Sequence, residues 1–575
     1  MSTHARLIAE ALSARADVDL AQLFDRREVR PDVPWDDFFD AAEGLLDAAS
    51  LGRILPRLTR AEAAALSRAA RGEDPGDPAA SLEALALLSP SGSVPPPVAT
   101  AVAAREDVSD DAGTSAPAPA DADVSARAAE RAFTSVATLA DALLLAEETP
   151  LTLLAGGTVG LSERRRLIER GLPDDAALLD DLLTLGAAAG LLRPTDRSLR
   201  LSPEGAAWLR LPGPRRWSAL VEGFRAALPA ALRTEAGGWI PIAGWAGEHP
   251  WDPSWPARAE GLLREARLLG LVADTGEETP WATAARRGES PDPAALAGFV
   301  PAEVDRIFLQ NDLTAIAPGP LLPALDLRLR GMAARESASQ ASSYRFTADT
   351  LSGALSAGET AEGITAFLEG ISLTGVPQPL RYLLAQSAAR HGQVRVSTDA
   401  DSGRTRVRAD DPHLLQAIGI DQALRPLGLV REEDSLTTRV NRDTVFWALS
   451  DEHYPAALVD RDGGVERPLR TLADPAPVLR PATESYATLI ARLRDARGVD
   501  AETAWLEREL EHAAKQRAVI AVEVAMPDGS SRELVLEVTG FGGGRLRGRD
   551  RAGDVERTLP IRSIRATRPV GASPE

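Results

Sequence analysis

The sequence predicts a multi-domain chain, mainly α with winged-helix-like units, a central α/β (α+β) domain and a small C-terminal β-barrel. Three observations predict it. Apolar residues make up 44% of 575 residues, which allows several buried cores and about four domains at roughly 150 residues each. Aromatic residues are only 4%, so those cores rest on Leu, Ala and Val, and Ala-rich stretches favour helix. The pattern then changes along the chain, from helical spacing to mixed strand and helix after 301, and to strand alternation after 517.

Residues 1–89 read as an N-terminal helical domain. Leu7, Ile8 and Leu12, then Leu20, Leu23 and Phe24, then Phe38, Phe39, Leu45 and Leu46 recur at helical spacing. Residues 90–127 read as a disordered linker: Pro95-Pro96-Pro97 and an Asp/Ala/Pro/Ser-rich run at 107–123 lack apolar periodicity. Residues 128–215 follow the order helix, strand (151–154), helix (162–170), helix (174–189), hairpin (191–201), which is that of a winged helix. Gly190 stops the third helix, and Ser202 with Pro203 starts another after the hairpin.

The ending helix, Gly, apolar strand start recurs at 262–272 and 424–430, which predicts a second winged-helix-like unit over 216–300. Residues 301–460 read as α/β, with strands at 306–309, 314–317, 394–397 and 404–408. Residues 461–516 read as linker and helix. The tail, 517–570, has four strand-like runs separated by Pro-Asp-Gly, Gly-Phe-Gly-Gly-Gly and Ala-Gly-Asp, the pattern of a small SH3-like barrel.

Composition excludes much chemistry. Cysteine is absent, which removes thiolate metal sites, disulfides and thiol nucleophiles. No start resembles a secretory leader and no run approaches the ~18 apolar residues of a membrane span, so the expected location is cytoplasmic, with no membrane partner. The single lysine, Lys515, follows Glu511-His512-Ala513-Ala514. A phosphate loop needs its lysine after glycine, where backbone N–H groups and the ammonium meet the phosphates together. An ATP-hydrolysing motor is therefore not expected, and neither is a cofactor or catalytic metal.

Other candidates have plainer explanations. Residues 155–160 (Ala-Gly-Gly-Thr-Val-Gly) join a strand to a helix as a dinucleotide loop would, but the glycine spacing is wrong and a tight connection is favoured. Asp36, Asp37 and Asp40, and Asp180 with Asp181, resemble nuclease carboxylates less than solvated or capping acids. No G-x-S-x-G elbow occurs, and His413 fits a helix start. No enzyme activity is expected.

The net charge of −20 argues against a chain-wide nucleic-acid surface. The helix at 174–189 carries Asp174, Asp175, Asp180 and Asp181 and no arginine, so it is poorly suited to enter a groove; the helix before it carries Arg164, Arg165, Arg166 and Arg170 and could touch phosphate. The tail is the better candidate. Between 545 and 568 there are eight arginines against three acids. Alternation places Arg545, Arg547, Arg549 and Arg551 on one strand face, with Arg562 and Arg565 following, and guanidinium forks suit phosphate. A charged edge strand, kept soluble by arginine, explains the same pattern equally well.

The run at 305–321 (DRIFLQNDLTAIAPGPL), with Tyr344-Arg-Phe-Thr-Ala-Asp-Thr-Leu351, Gly358-Glu-Thr-Ala-Glu362, Val376-Pro-Gln-Pro-Leu380 and Ala389-Arg-His-Gly392, resembles the XPB/Ssl2 helicase amino-terminal-like domain of actinobacterial proteins. Leu154-Ala-Gly-Gly-Thr-Val-Gly160 resembles an upstream segment of the same group. The tail is similar, more weakly, to WYL-type barrels, without their aromatic residues. The resemblance implies a helicase-associated, DNA-binding accessory protein of repair or transcription whose partners are DNA and an XPB-type helicase. The alternative is a protein-interaction scaffold or ligand-sensing regulator that touches no nucleic acid.

Overall fold

The computed structural model describes residues 2–109, 118–338, 341–399, 402–452, 454–460, 464–466, 472–474, 480–496, 501–526 and 530–569. The architecture is mixed α/β, with four small sheets among the described residues. The chain divides into two compact units, Met1–Ala116 with Pro241–Glu260 and Pro477–Glu575, and Pro117–Ile240 with Gly261–Ala476. Among the described residues no helix is long and apolar enough to cross a membrane.

In the first unit the helices Ser2–Ala14, Asp17–Arg26, Phe38–Leu46 and Arg60–Ala70 bury the apolar positions their periodicity marks. The Arg60–Ala70 helix starts on a capping box, with Thr59 and Glu62 each satisfying the other's backbone N–H. The core is completed from far along the chain: Tyr486, Leu489, Ile490, Leu493 and Trp505 are buried with these helices. Tyr486 donates its hydroxyl to the Val29 carbonyl at 2.7 Å. The segment expected as linker and helix therefore supplies core side chains.

The disordered linker expected at 90–127 is corrected in part. Pro96–Ala103 is a helix whose Val98 and Val102 are buried. Its prolines occupy the N-cap and first turn, where no intrahelical N–H is needed. Residues 118–120 pair with Glu278, and Asp121 caps a 27-residue helix, Ala122–Glu148. The 110–117 part of the acidic run lies outside the described residues, as do most of 461–482.

The second unit begins with that helix, followed by Leu151–Thr152, helices Leu161–Glu169 and Ala176–Ala188, and the hairpin Leu192–Thr195/Ser198–Leu201. The three strands form one antiparallel sheet with Ser198–Leu201 central. Over 216–300 the expected second wing is absent. That stretch contains no strand, and Val272 meets Glu278 only as an isolated bridge, because Glu278 spends its backbone groups on residues 118–120.

The recurring glycine stop has one cause. Gly190, Gly270 and Gly428 all have positive φ, and Leu191 and Leu271 return their N–H groups to the carbonyls of Gly186 and Ala266 at 2.8 and 2.9 Å, a Schellman closure.

From Phe308 onward two sheets follow. Phe308–Leu309, Thr314–Ala317, Ser342–Arg345 and Ala334–Ala338 form an antiparallel sheet over a core containing Ile307, Tyr344, Phe346, Leu351 and Leu368. Val394–Thr398 and Thr405–Ala409 form the expected hairpin at the centre of a six-stranded sheet, joined in parallel by Ala456–Val459.

Candidate nucleic-acid interface

The arginine-rich tail lies in the first unit as a five-stranded antiparallel sheet: Val519–Ala525, Ser531–Gly542, Arg545–Asp550, Val555–Pro560 and Ile564–Pro569. The ladder runs from Val555–Pro560 through Arg545–Asp550, Ser531–Gly542 and Val519–Ala525 to Ile564–Pro569. The expected closed barrel is not observed: the two end strands do not pair. Helix Ala501–Gln516 instead covers the apolar face, with Leu506, Leu510 and Ala513 against Val522, Leu536, Val538 and Leu546.

Arg545–Asp550 alternates exposed and buried, as a pleated strand over a core must. Arg545, Arg547 and Arg549 point outward, while Leu546, Gly548 and Asp550 are buried. The fourth arginine expected on this face, Arg551, is not in the strand; it stands exposed in the turn that follows Asp550. The strand ends there because the Asp550 carboxylate accepts the Ala552 N–H at 3.0 Å and the Arg557 Nε–H at 2.7 Å. That hydrogen bond to Arg557, with the Ala552 N–H, holds the Asp550 carboxyl below its ordinary range.

The three outward arginines differ in their neighbours. Arg549 faces Glu537 on one side and Glu556 on the other, and its guanidinium pairs with Asp554 at 2.6 Å. Arg547 faces Gly540 and Thr558, and Arg545 faces Gly542 and Pro560. Neither has a carboxylate partner among the described residues, nor do Arg551, Arg562 or Arg565, which are also exposed. Arg562 sits in the 3₁₀ turn Ile561–Ser563. Arg565 sits at a register shift of Ile564–Pro569, beside the Glu523/Val524 step. Among the described residues, five of the six expected arginines therefore have no ion pair, and Arg549 is paired with Asp554.

The hairpin joining Ser531–Gly542 to Arg545–Asp550 turns on Gly543 and Gly544, both with positive φ (58° and 67°), as a two-residue primed turn demands. Beside it, Glu511, Ala514, Lys515, Gly540 and Phe541 line an open cavity of about 340 Å³. Sequence reasoning treated Lys515 only as a lysine outside any phosphate loop, and Phe541 only as part of a turn. Their signal was their rarity: one lysine in the chain, and one aromatic inside a glycine run.

The other candidates resolve into structural roles. Asp37 accepts the N–H groups of Phe39 and Asp40, both at 2.9 Å, and Asp40 lies 2.9 Å from Arg508, so these acids cap a helix and pair. Asp180 binds Arg164 at 2.6 Å and Asp181 binds Arg264 at 2.9 Å. Arg166 and Arg170 are held by Glu163 and Glu148. Of the four arginines expected to be available on Leu161–Glu169 and its end, only Arg165 lacks such a partner among the described residues. The 154–158 loop is a tight turn, with the Gly157 N–H on the Leu154 carbonyl at 2.9 Å. His413 lies in the first turn of Pro412–Ile420, its N–H on the Asp411 cap. Among the described residues no group of three or more His, Asp or Glu is placed to hold a metal ion.

Comparison with known proteins gives one placement. No curated protein matches the chain. Residues 307–433 match the family described as helicase conserved C-terminal domain, from the bridge at Ile307 through the four-stranded sheet to the edge strand Val430–Arg431, and that stretch is helicase-related.

Proposed function

We propose that the chain is a non-enzymatic, helicase-associated accessory protein of DNA metabolism, in repair or transcription, without an ATP-hydrolysing motor of its own. It works in the cytoplasm, contacts DNA through Arg545, Arg547, Arg551, Arg562 and Arg565, and engages an XPB-type helicase through residues 301–460. In this proposal the helicase-related stretch is the XPB/Ssl2 amino-terminal-like domain that its motifs resemble, and residues 128–215 are a winged helix. The C-terminal module is an open SH3-like, WYL-like barrel. The strand orders of the two small sheets support those two assignments.

The observation that carries the DNA contact is the pair Arg545 and Arg547: two exposed guanidiniums on one face, with no carboxylate opposite either. In a chain of net charge −20 such a face attracts phosphate only if its own surroundings are not acidic. The test is a salt titration of DNA binding by the full chain and by R545A/R547A. The double variant is expected to weaken binding and to flatten log Kd against log salt by about 1.4–1.8. Wild-type protein that binds no DNA at low salt refutes the proposal.

A second reading, a protein-interaction scaffold without nucleic-acid contact, is favoured by the acidic Ala176–Ala188 helix and by the ion-paired arginines beside it. Protein partners recovered identically with and without nuclease, and no DNA binding, would select it.

A further inference from the structure

We propose that the outward face of the five-stranded sheet docks on the same face of a second copy of this chain, with the Arg545/Arg547 end of each against the Glu523/Glu533 end of the other. Self-association then competes with DNA for the two arginines. The competition rests on the DNA reading of the arginine face; the docking itself does not.

The face is bipolar. Helix Ala501–Gln516 covers one side of the sheet, where Val522, Leu534, Leu536 and Leu546 are buried. Alternation turns Glu523, Glu533, Arg545 and Arg547 to the other side. The registers sort these charges by sign instead of pairing them. Arg545 faces Gly542 and Pro560, and Arg547 faces Gly540 and Thr558. Glu523 stands directly opposite Glu533, and neither has an ion-pair partner among the described residues. Opposite charges facing across strands stabilise a sheet and like charges destabilise it, so a face built only to meet water has no reason to gather carboxylates at one end and guanidiniums at the other. The acidic end also repels a phosphate chain, so DNA binding gives it no role.

The two ends cannot neutralise each other within one copy. Arg547 lies opposite Gly540, on the strand that also carries Glu533, which at ~3.3 Å per residue sets them roughly 20 Å apart. That is about twice the ~10 Å Debye length at ~0.1 M salt. A two-fold axis in the plane of the face, midway between the ends, brings each basic end over the partner's acidic end, and an isologous interface repeats every contact in reverse. Val519, Ala521 and Val535 lie on this face between the ends and meet their own kind near the axis. Sheets packed face to face stand ~10 Å apart, a gap that arginine and glutamate side chains span by reaching from both sides. The net charge of −20 opposes association, but charges beyond a Debye length are screened and contacting pairs are not.

The test is sedimentation velocity of the full chain against concentration, at about 0.1 M and about 1 M salt, over which the Debye length falls from roughly 10 to 3 Å. Wild type is expected to form a reversible dimer at the lower salt and to dissociate at the higher. R545E/R547E and E523R/E533R are each expected to self-associate at least ~10-fold more weakly, because each sets like charges face to face. Mixed together, they are expected to form a heterodimer at wild-type strength, since every reversed contact then meets its complement; that recovery also shows both variants folded. If either double variant melts early, the single reversals R547E and E533R decide in the same way. Added duplex DNA is expected to convert the wild-type dimer to DNA-bound monomer. Wild type that stays monomeric, or a dimer that neither reversal weakens, overturns the docking face and leaves the DNA reading standing. A dimer that binds DNA without dissociating overturns the competition, and a dimer that binds no DNA overturns the DNA reading alone.

Discussion

Removing one negative charge from the arginine hairpin should strengthen its hold on DNA. The perturbation is D554N. Asp554 lies in the turn between Arg545–Asp550 and Val555–Pro560 with φ of 50°, a conformation in which alanine is strained and asparagine is tolerated, so asparagine removes the charge and keeps the backbone. The carboxylate it removes is the one 2.6 Å from Arg549, in a pair whose side chains are 59% and 76% exposed. Exposed pairs contribute about 0–1 kcal/mol to stability, so the melting temperature should stay within a few degrees of wild type. Arg549, still flanked by Glu537 and Glu556, is then released from its ion pair and supplies at most one added phosphate contact. One added phosphate contact steepens log Kd against log salt by about 0.9 for duplex and 0.7 for single strands, which is roughly three-fold in affinity over a four-fold change in salt. The assay is anisotropy with a labelled oligonucleotide at 50, 100 and 200 mM salt, with R549A in parallel. R549A in the wild-type background should cost far less than R547A, because its charge is already spent. An unchanged slope in D554N, together with R549A as damaging as R547A, would refute the charge pairing as the control on binding.

Three further predictions concern stability, each read from denaturant midpoints at constant m-value. Burial, with the Asp181 carboxylate adding to it, pushes Glu265 up to about 7. A raised folded pKa means its favourable contribution is complete below about 4.5 and is lost as pH rises through 7. The gap sets an upper limit of ~3 kcal/mol, and partial solvent access reduces the expected gain of E265Q to about 1–2 kcal/mol at pH 8, vanishing at pH 4. Gly270 has φ of 64° and its Cβ would stand 2.5 Å from the Ala128 carbonyl oxygen, so G270A should cost about 2 kcal/mol or more, through strain and the displaced helix. Asp141 accepts from Arg330 at 2.7 Å and also from Arg335; D141N leaves Arg335 without its carboxylate and Arg330 with only Asp326, 3.7 Å away, and should cost about 2–3 kcal/mol.

Local signals were legible in the sequence, and partnerships across the chain were not. The hairpin at 192–201 was readable because Asp196-Arg197 separates two apolar runs, and Asp196 takes the positive φ such a turn needs. The helix stops at Gly190, Gly270 and Gly428 were readable because a left-handed residue after a helix is nearly always glycine. The helix Pro96–Ala103 was missed because three prolines read as a break, although they occupy positions where a helix loses nothing. The burial of Tyr486 and Trp505 with the N-terminal helices leaves no mark in any local window, since it joins residues more than 400 apart. In the candidate site, alternation gave the outward face of Arg545, Arg547 and Arg549 correctly. It extended that face one step too far, to Arg551, because the Asp550 side chain that ends the strand is read as just another acid. Counting charges also could not show that Asp554, across the turn, cancels Arg549.

That cancellation gives the hairpin a direction. Adjacent strands lie ~4.8 Å apart, well inside the ~8 Å Debye length at physiological salt, so each arginine is judged by what faces it rather than by the chain's total of −20. Arg549 is bracketed by Glu537, Glu556 and Asp554, Arg547 by Gly540 and Thr558, and Arg545 by Gly542 and Pro560. Positive potential therefore rises along one strand toward the Gly543-Gly544 turn, and in the proposed DNA contact the phosphate chain is drawn to that end. Phe541, opposite Leu546, belongs to the core face of the same sheet and not to the arginine face. Arg545–Asp550 is paired on both sides, so an edge strand kept soluble by charge does not explain the gradient, whereas a phosphate chain held at the turn end does.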